Sequence, residues 1–164
     1  AFPPASVKPT VFIATKPFKQ HPAEYWNKGV SAVTVKDTRW SRCDIKSIAL
    51  LPNVLANQQA KDAGAFEALF VRDGEVIEGS HSNLFGVLDG ELRTFASCGY
   101  ILTGITRLLV VDKSGELDIP LREAAIPLDR LFDAARKLTG MSDNDVEKLT
   151  ENFGETDDAA DTSD

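Results

Sequence analysis

Ala65-Phe66-Glu67-Ala68-Leu69-Phe70-Val71-Arg72-Asp73-Gly74-Glu75-Val76-Ile77-Glu78-Gly79 is the stretch that decides the fold. Two runs rich in apolar residues flank Asp73-Gly74, and Asp-Gly in that setting signals a tight hairpin because its turn needs positive φ. A second hairpin follows, with residues 83–88 and 91–95 flanking Asp89-Gly90. Upstream, Pro52 suits the start of a helix, where its missing N–H has no intrahelical partner. Val54, Leu55, Ala56, Ala60 and Ala63 supply that helix with an apolar face, and Gly64 supplies its stop. Residues 29–37 are β-branched and read as a strand, with Ser31, Val33 and Val35 on one face. Residues 38–47 continue toward a second extended segment that carries Lys46.

Beyond this centre, residues 98–103 read as a loop and Gly104-Ile105-Thr106-Arg107 opens a helical run over 108–116. A short strand over 119–123 and a helix over 127–138, starting at Pro127, complete the pattern. Residues 8–15 read as a strand, and 16–25, with Pro17 and Pro22, as a linker. The chain opens on Ala1 and reaches a strand-like run almost at once, so it reads as starting partway through a larger protein. From Gly154 onward acidic residues dominate without basic or aromatic ones, the composition of a disordered tail. Hairpins interleaved with helices make the fold class α+β.

Composition narrows the function. A net charge of −7 over 164 residues, without a basic face, argues against nucleic acid as a partner. No apolar run is long enough to span a bilayer, so no membrane partner is expected. Cys43 and Cys98 are too few and too far apart for a disulfide framework or a zinc site, and His21 and His81 stand alone. No metal is expected, and a reducing cytoplasm suits the cysteine usage. Lys46 and Glu78, distant in sequence, could converge on one pocket, although most lysines are solvated surface charges.

Four ordered words carry more than that pair. They are Arg39-Trp40-Ser41-Arg42-Cys43-Asp44-Ile45-Lys46-Ser47, Leu50-Leu51-Pro52-Asn53-Val54-Leu55-Ala56, Glu78-Gly79-Ser80-His81-Ser82-Asn83-Leu84-Phe85 and Gly104-Ile105-Thr106-Arg107. Together they resemble the class IV, fold-type IV pyridoxal-phosphate aminotransferases, over about residues 8–123, and within them the D-amino-acid branch. The resemblance implies part of an open pseudo-barrel cofactor domain. It also implies transamination between a D-alanine-like amino acid and a 2-oxo acid, in a cytoplasmic homodimer. Lys46 is then the catalytic Schiff-base lysine, moving a proton from the substrate Cα, and Glu78 the carboxylate facing the pyridine nitrogen of pyridoxal 5′-phosphate. Ser80, His81, Ser82 and Asn83 border the cofactor and Leu102 packs on its ring. Gly104, Ile105 and Thr106 form the phosphate turn at a helix start. Arg107 follows that turn without an assigned role, and Cys43 is read as a small buried filler.

The resemblance divides the chain into the end of a small domain (1–16), a linker (17–25), an incomplete cofactor-binding domain (26–140) and an atypical acidic, disordered tail (141–164). Relatives commonly have a serine where His81 stands. They have a hydroxyl-rich word where Leu138-Thr139-Gly140-Met141-Ser142 would be its remnant, and a carboxylate trap ahead of Ala1. Alternatives are a non-catalytic fragment or remnant of such an enzyme, or a class IV lyase or branched-chain aminotransferase.

Overall fold

The computed structural model describes residues 3–139, in two compact units, Ala1–Val30 and Ser31–Asp164. The proposed remnant around Met141 and the acidic tail lie outside the described residues. In the first unit, helix α1 spans Ala23–Lys28. It follows Pro22, is braced by Lys28 Nζ donating to Glu24 at 3.1 Å one turn away, and stops at Gly29. It takes over the end of the expected linker over 16–25. The strand expected over 8–15 does not form. A strand needs a paired neighbour to satisfy its backbone, none is formed there, and Phe12 and Ile13 are 87% and 84% exposed.

The second unit holds two mixed sheets. The first runs β1 (Ala32–Lys36), β2 (Glu67–Arg72), β3 (Glu75–Gly79) and β7 (Ile126–Pro127), in that spatial order. β1 and β2 are parallel, with Val33 opposite Ala68 and Val35 opposite Phe70, and helix α2 (Leu51–Asp62) forms the crossover between them. The second sheet runs β4 (Gly86–Leu88), β5 (Glu91–Thr94) and β6 (Leu121–Glu123), with β5 and β6 parallel across helix α3 (Ile105–Glu116). Helix α4 spans Leu128–Thr139. Pro127 pairs in β7 opposite Glu75 rather than opening that helix. Both Asp-Gly turns have the expected shape, with φ of 53° and 78° at Asp73 and Gly74 and of 55° and 77° at Asp89 and Gly90.

The core lies between α2 and the first sheet. Ala56 and Ala60 let the helix approach closely, and they pack with Ala68, Phe70, Ile77 and Ile101. Val54 and Leu55, expected on the apolar face, point outward and are more than half exposed, because the two alanines take the contact. The expected extended segment over 38–47 is a series of turns with no strand, its backbone tied by Ile45 N–H to Arg42 O at 3.1 Å. The β2–β3 register shifts between Leu69 and Val71, a bulge of the kind that re-aims neighbouring side chains.

Phe70 is 1% exposed and also carries the Arg39 guanidinium over its ring, 4.1 Å from the centroid. Phe70→Ala is expected to cost about 3–5 kcal/mol of stability, read by chemical denaturation. A loss of less than about 1 kcal/mol would contradict this core.

Candidate active site

Glu78 is the penultimate residue of β3 with a side chain 7% exposed, and three donors meet its carboxylate. Arg39 Nη1 donates to Oε1 at 2.5 Å, while Asn83 Nδ2 and the Leu102 N–H donate to Oε2 at 2.9 and 3.3 Å. Asn83 Nδ2 also donates to Leu102 O at 2.9 Å, so one amide ties the carboxylate to the loop before α3. Burial pushes the Glu78 carboxyl above its ordinary value, and the Arg39 hydrogen bond and charge pull against that rise.

Arg39 does not serve Glu78 alone. Its Nε and Nη2 donate to Oδ1 and Oδ2 of Asp37 at 2.9 and 3.1 Å, and Nη2 also reaches Tyr100 O at 3.1 Å. The Asp37 side chain is fully buried and takes a second guanidinium, Arg72, at 3.2 Å. Burial raises the Asp37 carboxyl, but hydrogen bonds to Arg39 and both positive charges outweigh it, leaving the net direction downward. Two carboxylates on one arginine thus move oppositely. Asp37 has two arginines and a paired fork, whereas Glu78 has a single arginine contact.

Lys46 is not bonded to this cluster. It is exposed and makes no hydrogen bond or ion pair among the described residues. Its loop is nevertheless pinned on both sides. The Cys43 N–H donates to Gly99 O at 2.7 Å, and Asn53 Nδ2 at the start of α2 donates to Ser80 O at 2.8 Å. Residues 99–102 therefore bond both to the Lys46 loop and to Glu78. Cys43 is half-buried rather than buried, with Sγ donating to Trp40 O at 3.2 Å, and burial pushes its thiol up.

The loop over 80–82 is shaped from below by Glu67, which sequence reasoning passed over. Its buried carboxylate accepts from the His81 N–H at 2.8 Å and the Ser82 hydroxyl at 2.7 Å, with His81 Nδ1 at 3.3 Å. A Cβ at Gly79 would collide with Glu67 Oε1, so this approach requires glycine there. His81 itself is about half exposed, and Ser80 Oγ is buried with no hydrogen-bond partner among the described residues. Helix α3 starts at Gly104 without a side-chain cap, against Asn83 Oδ1, and presents exposed Ile105 and Thr106. Its first-turn N–H groups are the free donors of any helix start.

A family model described as amino-transferase class IV matches residues 1–139. The chain belongs to that family. It is 37% identical, over 155 residues, to D-alanine aminotransferase of Staphylococcus aureus (strain N315), covering 94% of this chain and 55% of that protein. The chain thus spans about half the length of that relative. Among solved structures it resembles a branched-chain aminotransferase from the archaeon Thermoproteus uzoniensis at a TM-score of 0.58 and 34% identity, over 64% of this chain and 37% of the other. It also resembles an aminotransferase from Brucella abortus bound to the cofactor PLP, at 0.55 and 27%, over 65% and 40%. The α+β, partial fold-type IV architecture expected from the class IV words is therefore the one observed.

Within the class IV frame, Arg107 acquires a structural place. It is 2% exposed in the first turn of α3, donating to Phe95 O at 2.8 Å, Ser97 Oγ at 3.1 Å and Glu123 Oε2 at 2.7 Å. It fixes the helix start against β5 and β6. Arg39 opens one of the quoted words and Asp37, Arg72 and Glu67 lie in or beside strands, but nothing in their spacing named their partners.

Two measurements check this site. Glu67→Gln keeps the shape but gives up the negative charge and one acceptor, so it should cost about 1–3 kcal/mol and speed amide exchange at His81 about tenfold. Unchanged exchange there would contradict the role of Glu67. The Arg107 hydrogen bond holds the Glu123 carboxyl below its ordinary value. The ion pair therefore stabilises the fold above the unfolded glutamate range and is lost as pH falls through the depressed folded value. Glu123→Gln should be less stable than the parent at pH 7, with the difference shrinking as pH falls below the ordinary glutamate range, by denaturant unfolding.

Proposed function

We propose that this chain forms most of the cofactor-binding half of a pyridoxal-phosphate transaminase acting between a D-alanine-like amino acid and a 2-oxo acid. The observation that carries this reading is Glu78, a buried carboxylate gripped by Arg39, Asn83 and Leu102 beside an uncapped helix start. The residues present fit the cofactor. The unpartnered hydroxyl of Ser80, the free donors at the start of α3 and the unpaired amine of Lys46 are groups such a ligand would engage.

Pyridoxal phosphate, when bound, supplies an electron sink for the negative charge left at a substrate Cα. Lys46 would hold it through Nζ and, once released by the incoming amine, take the proton from that Cα. Glu78, as an ionised carboxylate, would keep a proton on the ring nitrogen, and the Arg39 hydrogen bond and charge that oppose the burial shift favour that ionised form. Gly104, Ile105 and Thr106 would take the phosphate with backbone N–H groups and the Thr106 hydroxyl. Ser80, His81, Ser82 and Asn83 would border the ring, with Leu102 against its face. Residues 26–140 would be the cofactor-binding domain.

The relatives named D-alanine aminotransferase favour the D-amino-acid branch over the branched-chain one. Outward apolar side chains on α2 and α3, among them Leu51, Leu55, Leu108 and Leu109, are the kind a homodimer would cover. Both cysteines are free, as a reducing cytoplasm keeps them. No helix among the described residues is long and apolar enough to cross a membrane.

Purified chain mixed with pyridoxal phosphate should turn yellow and, after borohydride, carry the label on Lys46. Lys46→Ala should lose both. Label spread over other lysines, or no colour, would sink the cofactor site. Steady formation of pyruvate from D-alanine and 2-oxoglutarate would support turnover by this chain. Colour without turnover would leave a cofactor-binding fragment.

A further inference from the structure

Arg72, Asp37, Arg39 and Glu78 form an alternating chain of charge, buried but for the partly exposed Arg72, and its geometry divides one guanidinium unequally. Asp37 takes the paired edge of Arg39, Nε and Nη2, with both of its oxygens. Nη2 spends its other hydrogen on Tyr100 O, which leaves only Nη1 for Glu78. Paired two-bond contact between arginine and carboxylate is the stronger arrangement, and Asp37 occupies it. The Arg39 N–H donates to Asp37 Oδ1 at 3.0 Å, fixing this choice from the backbone. Arg72 in turn anchors Asp37 through Nη2 and Nε at 3.2 and 3.3 Å, donates to Arg39 O at 3.0 Å and lies over the Tyr100 ring at 4.2 Å.

We propose that Asp37 is a positioning residue that sets how firmly Glu78 holds a proton, by claiming the face of Arg39 that would otherwise clamp Glu78 with two bonds. The use of that setting for the reaction rests on the reading of Glu78 as the ring-nitrogen partner. A Glu78 paired on both oxygens would be a weaker base, with the second guanidinium bond competing with Asn83 and Leu102 for Oε2. Singly paired, it keeps Oε2 for them and holds its proton affinity. The opposite shifts of the two carboxyls agree with this division. Cys43 is the other titratable group that senses all four charges, and its thiol, raised by burial, stays neutral throughout the carboxylate range.

An alternating chain makes alternating predictions. Asp37→Asn removes a negative charge that itself raises Glu78 and frees the charge of Arg39 for it, so the Glu78 midpoint should fall by about one pH unit. Arg72→Gln leaves Asp37 with one arginine, strengthens its claim on Arg39 and should move the Glu78 midpoint up. General structural damage would instead push both variants the same way, toward an exposed glutamate.

The experiment is a carbon-13 carboxyl titration of the full chain with no cofactor added, comparing parent, Asp37→Asn and Arg72→Gln. Shifts of opposite sign support the proposal. Shifts of the same sign, or none, overturn it. If Asp37→Asn fails to fold, Arg72→Gln decides alone, since its side chain is partly exposed: an upward shift supports the proposal, and a downward or absent one overturns it. The measurement needs no pyridoxal phosphate, so failure to label Lys46 would sink the transaminase reading while leaving this result to stand or fall separately.

Discussion

A carboxylate cannot sit unpaired at the edge of an apolar core, and the bond from Arg39 to Glu78 is the constraint that the rest of the site serves. Removing a charge from water costs several kcal/mol unless good hydrogen bonds replace the lost solvent. Arg39 meets that demand while resting on Phe70, so the charged cluster and the core share one aromatic ring. Glu78 is delivered to Arg39 by β3, whose pairing with β2 is offset by a bulge. The parallel strand β1 ends one residue before Asp37 and sets Asp37 and Arg39 beside it.

The loop over 98–103 joins the remaining parts. Gly99 receives the backbone of Cys43, Tyr100 receives Arg39, and Leu102 both donates to Glu78 and accepts from Asn83. This segment has no regular structure, yet it bonds to the Lys46 loop, the buried acid and the approach to α3. Loops held on rigid elements commonly carry function in this way. Glu67 plays the equivalent part beneath residues 80–82, and the absent side chain of Gly79 makes room for it.

What could be read from the sequence was governed by local chemistry. The Asp-Gly turns, the proline at the start of α2 and Gly64 at its end each report their conformation through their own steric limits. The strand expected over 8–15 failed because pairing depends on a distant partner that composition cannot name. Residues 38–47 failed for a related reason: side-chain bonds such as Arg42 to Asp44 at 3.0 Å favour turns where an apolar count suggests extension. Glu78, Asn83 and the start of α3 were legible as words, and the structure bonds Glu78 and Asn83 to Leu102, two residues before Gly104. The roles of their supporting charges were not, since Asp37, Arg72 and Glu67, and Arg39 within its word, acquire meaning only from who stands opposite.

The parallel pairings have a consequence for the order of folding. Each hairpin closes a loop of a few residues, which is quick, whereas β1 reaches β2 only after α2 and its approach have been spanned. Arg39 rides on the far side of that slow closure, 39 residues from Glu78. A nascent chain is therefore expected to hold the β2–β3 hairpin with Glu78 still hydrated. The acid loses its water only when β1 docks, so dehydration of the site and completion of the sheet are one event.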